Sequence, residues 1–305
     1  MKCKLTCRGQ TGGCLPFPAL WTAALLPPST RLPRPRTAAA GSAAFGLFCL
    51  SSPSPSSTTS SSVAAMTDAK LGRLSVEFRE LTVDTTLDRV PAPSPVEFYR
   101  EYVAASKPVI FTGAIDHWPA MKKWSNSYLE ATVGGKKVTV DITPDGRGDS
   151  ICETVKGDPS SAKFVTPLCE PMTMGEFFSL LASSKEDESK GVPYVQHQNS
   201  NFREEYHELW GDVDEEIGFA TEAFGCQPDA VNIWIGDERS VTSFHKDHYE
   251  NLYAVVSGRK IFTIMPPVDS WRLYTKSFPA AEWRRGGGGE GVVTHDLQPP
   301  TQVPW

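Results

Sequence analysis

What the 305-residue chain lacks removes several classes of answer. Its seven cysteines include no C-x-x-C pair, so neither a zinc site nor a disulfide framework is indicated. No stretch approaches the roughly 18 consecutive apolar residues of a membrane span, and the expectation is a soluble protein with no membrane partner. Residues 1–65 contain no Asp or Glu and only six basic residues, Lys2, Lys4, Arg8, Arg31, Arg34 and Arg36. Rich in Ser, Pro, Ala and Arg, that extension cannot bury enough apolar surface to offset the entropy of ordering, so it is expected to be disordered.

What remains is globular in composition, with 40% hydrophobic and 22% charged residues. The formal charge of -6 conceals an asymmetry, because residues 66–305 hold 24 basic against 36 acidic side chains. An acidic body lacks the electrostatic footprint of a nucleic-acid binder and is compatible with a basic polypeptide substrate. Only Cys152, Cys169 and Cys226 lie in this part, far apart, which reads as reduced and intracellular. Organelle targeting by the Arg- and Ser-containing extension is the weaker reading, because Pro33 and Pro35 forbid a clean amphipathic helix. An upstream extension is favoured, with Met66 as a natural second start.

Along the chain, Leu71, Leu74, Phe78 and Leu81 recur at helical spacing. Ser94-Pro95-Val96-Glu97 and Thr173-Met174-Gly175-Glu176 are capping boxes that open helices. Pro108 to Phe111 predicts a short strand, and Trp118 to Trp124 a helix whose tryptophans belong to the core. Lys137 to Thr143 alternates as a half-buried strand ending at the turn Pro144-Asp145-Gly146. Val192 to Gln196 and Val231 to Ile235 are further strands, and Lys185 to Lys190 is a charged surface loop.

One stretch carries chemistry. His245 and Asp247 are two residues apart, so on an extended chain they share a face, as two ligands of one metal must. An imidazole nitrogen and a carboxylate oxygen form two thirds of the facial triad of a non-heme Fe(II), with a second His as third ligand. Leu252 to Val256 and Lys260 to Met265 read as two strands joined around Ser257-Gly258. Lys260 then enters an interior where an ammonium needs an anionic partner.

Trp234-Ile235-Gly236, Thr242, His245, Asp247, Asn251-Leu252-Tyr253, Gly258, Lys260 and Pro266-Pro267 together resemble the jumonji C (JmjC) hydroxylases of the cupin superfamily. The run His245 to Gly258 is most similar to their lysyl-hydroxylase branch. The resemblance implies a mainly β fold with helical additions, a cupin-like double-stranded β-helix (jelly roll) incomplete at the C-terminus. Residues 66–130 would form the N-terminal helical layer, 131–279 the barrel and 280–305 a Gly-rich tail.

It further implies Fe(II) on His245 and Asp247, and 2-oxoglutarate and dioxygen as co-substrates. Lys260 and Thr242 would hold the distal carboxylate of 2-oxoglutarate. Tyr194, Asn251 and Tyr253 are further co-substrate positions, with a hydrogen bond inside the barrel as the alternative for Asn251 and an ordinary buried hydroxyl for Tyr194. His248 points to the opposite strand face from Asp247. The implied reaction is hydroxylation of a lysine in a translation-associated GTPase, in the cytoplasm and also the nucleus. Complete members dimerise.

The chain departs from that pattern after Pro267, where the Leu-Tyr-x-Pro and W-x-H elements that supply the family's distal His do not follow. His295 alone lies downstream, in a Gly- and Pro-flanked stretch without strand pattern. The expectation is a truncated product with impaired activity, exposed edges and no dimer. A catalytically silent protein-binding module is the rival reading. Peptidase action on histone tails is a third, without separate support, since there is no H-E-x-x-H and no Cys or Ser nucleophile setting.

Overall fold

The structure, a computed structural model, describes residues 2–7, 22–26, 57–82, 86–198, 200–247, 249–286, 292–297 and 300–305. Local chemistry sets several elements as the sequence predicts. Ser94 and Glu97 cap each other's backbone to start Pro95–Glu97, which continues as the π-helical turn Phe98–Val103. Thr173 and Glu176 do the same for the helix Met174–Ser183. Trp118 and Trp124 are buried in the core beside the short helix Ala120–Lys123.

The strands form one sheet in the order Ala230–Trp234, Lys2–Cys7, Glu250–Val255, Thr22–Leu26, Val109–Thr112, Asp88–Pro91. A second sheet runs Val192–Tyr194, Lys137–Thr143, Leu168–Thr173. The paired bridge between Val195 and Ile235, with N–H to O distances of 2.9 and 3.0 Å, joins the two.

These strands are two-sided, and that positions everything below. Val138, Val140 and Ile142, Val231, Ile233 and Ile235, and Leu252, Ala254 and Val256 enter one large core with Phe98, Phe111, Trp118, Leu129 and Phe177. The alternate residues Tyr194, Trp234, Tyr253 and Val255 form a second, smaller cluster, against which Phe262 packs. Successive side chains on a strand point to opposite faces, so one set of strands closes a core on one side and lines an interior on the other.

Three expectations need correcting. Lys260 to Met265 forms no ladder, and Ile261 is 89% exposed. A strand has two edges, and both edges of Glu250–Val255 are occupied, by Lys2–Cys7 antiparallel and by Thr22–Leu26 parallel. Those two strands lie in the extension expected to be disordered, and the helix Ser57–Thr82 crosses the expected boundary at residue 65. The remainder of that extension lies outside the described residues. The tail is likewise structured at its start: Ser277–Arg285 is a strand joined by Val292–Asp296 and Gln302–Pro304, with Ala280 and Ala281 buried and Trp305 against Phe164 at 4.7 Å.

The helix Ser57–Thr82 is tied to the 3-10 turn Pro267–Leu273 through a fully buried carboxylate. Asp269 accepts from Arg79 Nε at 3.1 Å and from Arg272 Nε at 3.1 Å, while Trp271 Nε1 donates to Ser75 Oγ at 3.2 Å. Two guanidinium groups hold the Asp269 carboxyl below its usual range, against the opposing effect of burial. A buried charge is tolerated when it is paired in this way.

Candidate metal and co-substrate site

Among its described residues the loop carrying His245 forms no ladder of its own, and it is pinned from outside. Val241 N–H donates to Gly146 O at 2.9 Å, and Thr242 pairs with Gly148 in a short parallel bridge. Gly146 has φ +86°, and a Cβ there would lie 1.9 Å from Arg239 O. Only glycine permits both the left-handed turn and that approach. Upstream, Arg239 grips Asp237 and the Ser184 carbonyl, the latter at 2.8 Å. Ser243 Oγ donates to the Asp149 carbonyl.

Within this loop the two proposed metal ligands converge. His245 Nε2 lies 3.5 Å from Asp247 Oδ1. Each is tied by its other polar atom. His245 Nδ1 donates to the Ser243 carbonyl at 2.8 Å, and Asn251 Nδ2 donates to Asp247 Oδ2 at 2.9 Å. With Nδ1 engaged by the Ser243 carbonyl, Nε2 is the ring nitrogen left facing Asp247 Oδ1. The two donor atoms stand side by side, as two ligands of one cation do. Hydrogen bonds to the remote atom of each ligand are the usual way of orienting metal donors.

The co-substrate residues line the smaller interior cluster. Tyr194 is 5% exposed, and among the described residues its hydroxyl has no partner. Burial raises its pKa, so it remains a donor. Lys260 Nζ stands 5.9 Å from the Tyr194 ring centre, half-buried, with burial lowering its pKa. Among the described residues no carboxylate partner is found for it, and burial is the sole cause of its shift. A free phenol donor and an uncompensated ammonium on one interior face fit a small organic anion. Gly236 makes the fit possible, because a Cβ there would sit 2.5 Å from the Tyr194 ring and 2.7 Å from Ser240 Oγ.

A profile described as Cupin-like domain matches residues 95–303. The chain is 45% identical to "Lysine-specific demethylase JMJ32" of Arabidopsis thaliana over 233 residues, which is 75% of this chain and 65% of that protein. It is 40% identical to "JmjC domain-containing protein E" of Dictyostelium discoideum, over 76% of this chain and 69% of that protein. It is also 40% identical to "Bifunctional peptidase and (3S)-lysyl hydroxylase JMJD7" of Homo sapiens, over 74% and 69%. This chain belongs to the cupin-like JmjC family. It spans about two thirds of the length of these relatives, and the strand-rich architecture with helical additions is the cupin-like fold that the sequence motifs imply.

Set against the JmjC expectation, the predicted residues divide. His245 and Asp247 come together, Asn251 stands directly behind Asp247, and Tyr194, Tyr253 and Lys260 share one interior face. Asn251 Nδ2 bonds Asp247, and among the described residues its Oδ1 has no partner. Thr242 is exposed on the short bridge to Gly148. His295 sits on Val292–Asp296 opposite Glu282, and His248 lies outside the described residues. Among the described residues no group of three His, Cys, Asp or Glu could hold a metal ion. The described donors fit two positions of an iron site and the anion-binding part of a 2-oxoglutarate site.

Sequence reasoning missed four polar residues here. Asp141, 7% exposed, faces Tyr194 and Cys169 across its two ladders and accepts from the Cys169 thiol at 3.1 Å. Burial chiefly, with the neighbouring Asp141 charge, pushes the Cys169 thiol up to about 12. Asp149, half-buried, lies within electrostatic range of both Asp141 and His245. Glu250 sits on the core-facing side of its strand. The only signal for Asp141 was an acid on the polar side of an alternating strand.

Proposed function

We propose that this chain is an Fe(II)- and 2-oxoglutarate-dependent protein hydroxylase that acts on a lysine side chain. The observation that carries the reading is the 3.5 Å approach of His245 Nε2 to Asp247 Oδ1, each held from behind by a hydrogen bond to its other polar atom. Support for the co-substrate comes from the unpartnered Tyr194 hydroxyl and the uncompensated Lys260 ammonium. Support for lysine as target comes from the relatives, two of whose names specify lysine chemistry.

In this reading His245 and Asp247 hold the iron, and Lys260 pairs with the distal carboxylate of 2-oxoglutarate. Tyr194 donates to the same anion, with Asn251, Tyr253 and Thr242 around it. Bound iron would supply activation of dioxygen coupled to decarboxylation of 2-oxoglutarate to succinate. The protein residues orient the keto acid and exclude water with the Trp234, Tyr253 and Phe262 cluster. The carrier of the target lysine is a translation-associated GTPase, encountered in the cytoplasm and nucleus.

Calorimetric titration of the full chain with Mn(II), with and without 2-oxoglutarate, tests the site. Micromolar Mn(II) binding that is lost in His245→Ala and in Asp247→Ala is expected, together with oxygen-dependent succinate formation when Fe(II) replaces Mn(II). Mn(II) binding indifferent to both substitutions would overturn the assignment. Binding of metal and keto acid without succinate would favour the protein-binding module over the enzyme.

A further inference from the structure

Ser240 Oγ is buried, and among the described residues it has no hydrogen-bond partner. Buried hydroxyls in folded proteins are nearly always paired, because an unmet one gives up its hydration for nothing in return. The backbone that presents this one is fixed on both sides. Ser240 N–H donates to the Asp237 carbonyl at 3.3 Å, and the next N–H, that of Val241, donates to the Gly146 carbonyl at 2.9 Å. Arg239 N–H bonds the Asp237 carboxylate at 3.0 Å, which closes the turn from within. The hydroxyl is thus presented by held backbone rather than by a loose loop.

Its surroundings identify the chemistry that it meets. Val195 and Ile235 exchange backbone hydrogen bonds in an antiparallel bridge, which sets Tyr194 opposite Gly236. Gly236 has no side chain, and the point where its Cβ would stand is 2.5 Å from the Tyr194 ring and 2.7 Å from Ser240 Oγ. The serine hydroxyl and the tyrosine ring therefore meet over one glycine. Lys260 Nζ lies 5.9 Å from the centre of that ring. A phenol, an ammonium and an alcohol, all able to donate, stand around the same ring. Thr242, the hydroxyl two residues further along, is exposed instead.

On the function proposed above, on which this inference rests, Lys260 meets the distal carboxylate of 2-oxoglutarate. A carboxylate offers about four acceptor sites over its two oxygens, so an ammonium and a phenol leave it able to take a further donor. We propose that Ser240 is a specificity-determining residue of the co-substrate site: its hydroxyl donates to that distal carboxylate beside Lys260 and Tyr194. The bond selects keto acids that carry a second carboxylate, and Gly236 keeps clear the space that the hydroxyl and the ring share.

The test uses the full chain loaded with Mn(II) and compares 2-oxoglutarate with 2-oxopentanoate, in which a methyl group replaces the distal carboxylate. Affinities are read by calorimetry and by ligand-detected NMR. Ser240→Ala should weaken 2-oxoglutarate at least about tenfold, as loss of one hydrogen bond to a charged group warrants. Its affinities for 2-oxopentanoate and for Mn(II) should each stay within about twofold of the wild type. Urea unfolding of the ligand-free chain is the second readout. Removing a hydroxyl that makes a structural bond costs stability, whereas removing an unmet one should leave stability unchanged or raised.

Equal weakening of the two keto acids would overturn the proposal, as would a ligand-free chain destabilised by Ser240→Ala. Wild-type binding of 2-oxoglutarate that the substitution leaves unaltered would sink this inference alone. A wild-type chain that binds neither Mn(II) nor 2-oxoglutarate would sink the function proposed above, and this inference with it.

Discussion

Glu250 gives the sharpest quantitative expectation. It alternates with Leu252, Ala254 and Val256, so its side chain turns to the core-facing side of the strand and away from the metal. There it lines a small cavity of about 20 Å³ with Phe98, Tyr102, Val103, Pro108 and Phe224. Lys107 also borders the cavity but its ammonium is taken by Asp88. Burial without a compensating partner pushes the Glu250 carboxyl from its ordinary 4.5 up to about 7. Because the folded value is raised, the folded state binds more protons than the unfolded one between these two values. Stability therefore falls as pH rises from 4.5 through 7, and the full loss is present above 7. At 1.36 kcal/mol per unit the loss is about 3 kcal/mol.

Glu250→Gln keeps the shape and removes the charge. Urea unfolding followed by tryptophan fluorescence at pH 4 and pH 8 should show near-equal stability at the acidic value. At pH 8 the variant should be about 3 kcal/mol more stable. Asp141 and Asp149 also carry raised carboxyl values from burial, and they lower stability with rising pH in the same sense. They are common to both proteins and cancel in the difference. An equal difference at both pH values, or a variant less stable at pH 8, would refute the assignment of the raised value to burial of Glu250.

Asn251→Ala releases Asp247 Oδ2 and should weaken Mn(II) binding about 10- to 100-fold by calorimetry, while the thermal midpoint moves little. Gly236→Ala places a methyl group against the Tyr194 ring, so 2-oxoglutarate affinity should fall with Mn(II) affinity retained. Leu5→Pro removes a donor from the middle of a strand bonded on both sides. Hydrogen exchange at residues 231–234 and 251–255 should accelerate by at least about 100-fold, and Leu5→Ile should leave it unchanged. Exchange unaltered by the proline would show that the Lys2–Cys7 ladder does not hold these strands.

How much of this was legible in the sequence depends on the range of the interaction. The capping boxes at Ser94 and Thr173 are complete within four residues and form as written. The alternation of Lys137 to Thr143 and the apolar runs Val231 to Ile235 and Leu252 to Val256 mark strands, since such patterns report burial and not the identity of the partner. Lys260 to Met265 shows where that stops. Its pattern is that of a strand, but pairing needs a free edge, and the edges beside Glu250–Val255 belong to segments more than 220 residues earlier in the chain. The His245 and Asp247 pair was legible because its spacing is local. Asp149 was not, because only the Ser243 hydroxyl and the Gly146 turn, contacts spanning about 95 positions, bring it there.

The same distinction bears on what holds the site together. The described residues of 243–249 contribute no ladder hydrogen bonds, so the separation of His245 from Asp247 is set at their flanks. On one side it is set by Arg239, Gly146 and Gly148, and on the other by the strand that starts at Glu250. That strand has its even-numbered residues in the large core and its odd-numbered ones in the site. Loss of a core contact at Leu252 or Ala254 must therefore move Asn251 and Tyr253 as well, because one backbone carries both faces. The loop-side anchors act through polar contacts instead: Arg239 bonds Asp237 and the Ser184 carbonyl, and Ser243 the Asp149 carbonyl. A change at Arg239 should consequently loosen the metal pair with little effect on global stability. A change at Leu252 should cost both together, so metal affinity and unfolding free energy measured on the same two variants separate the two kinds of support.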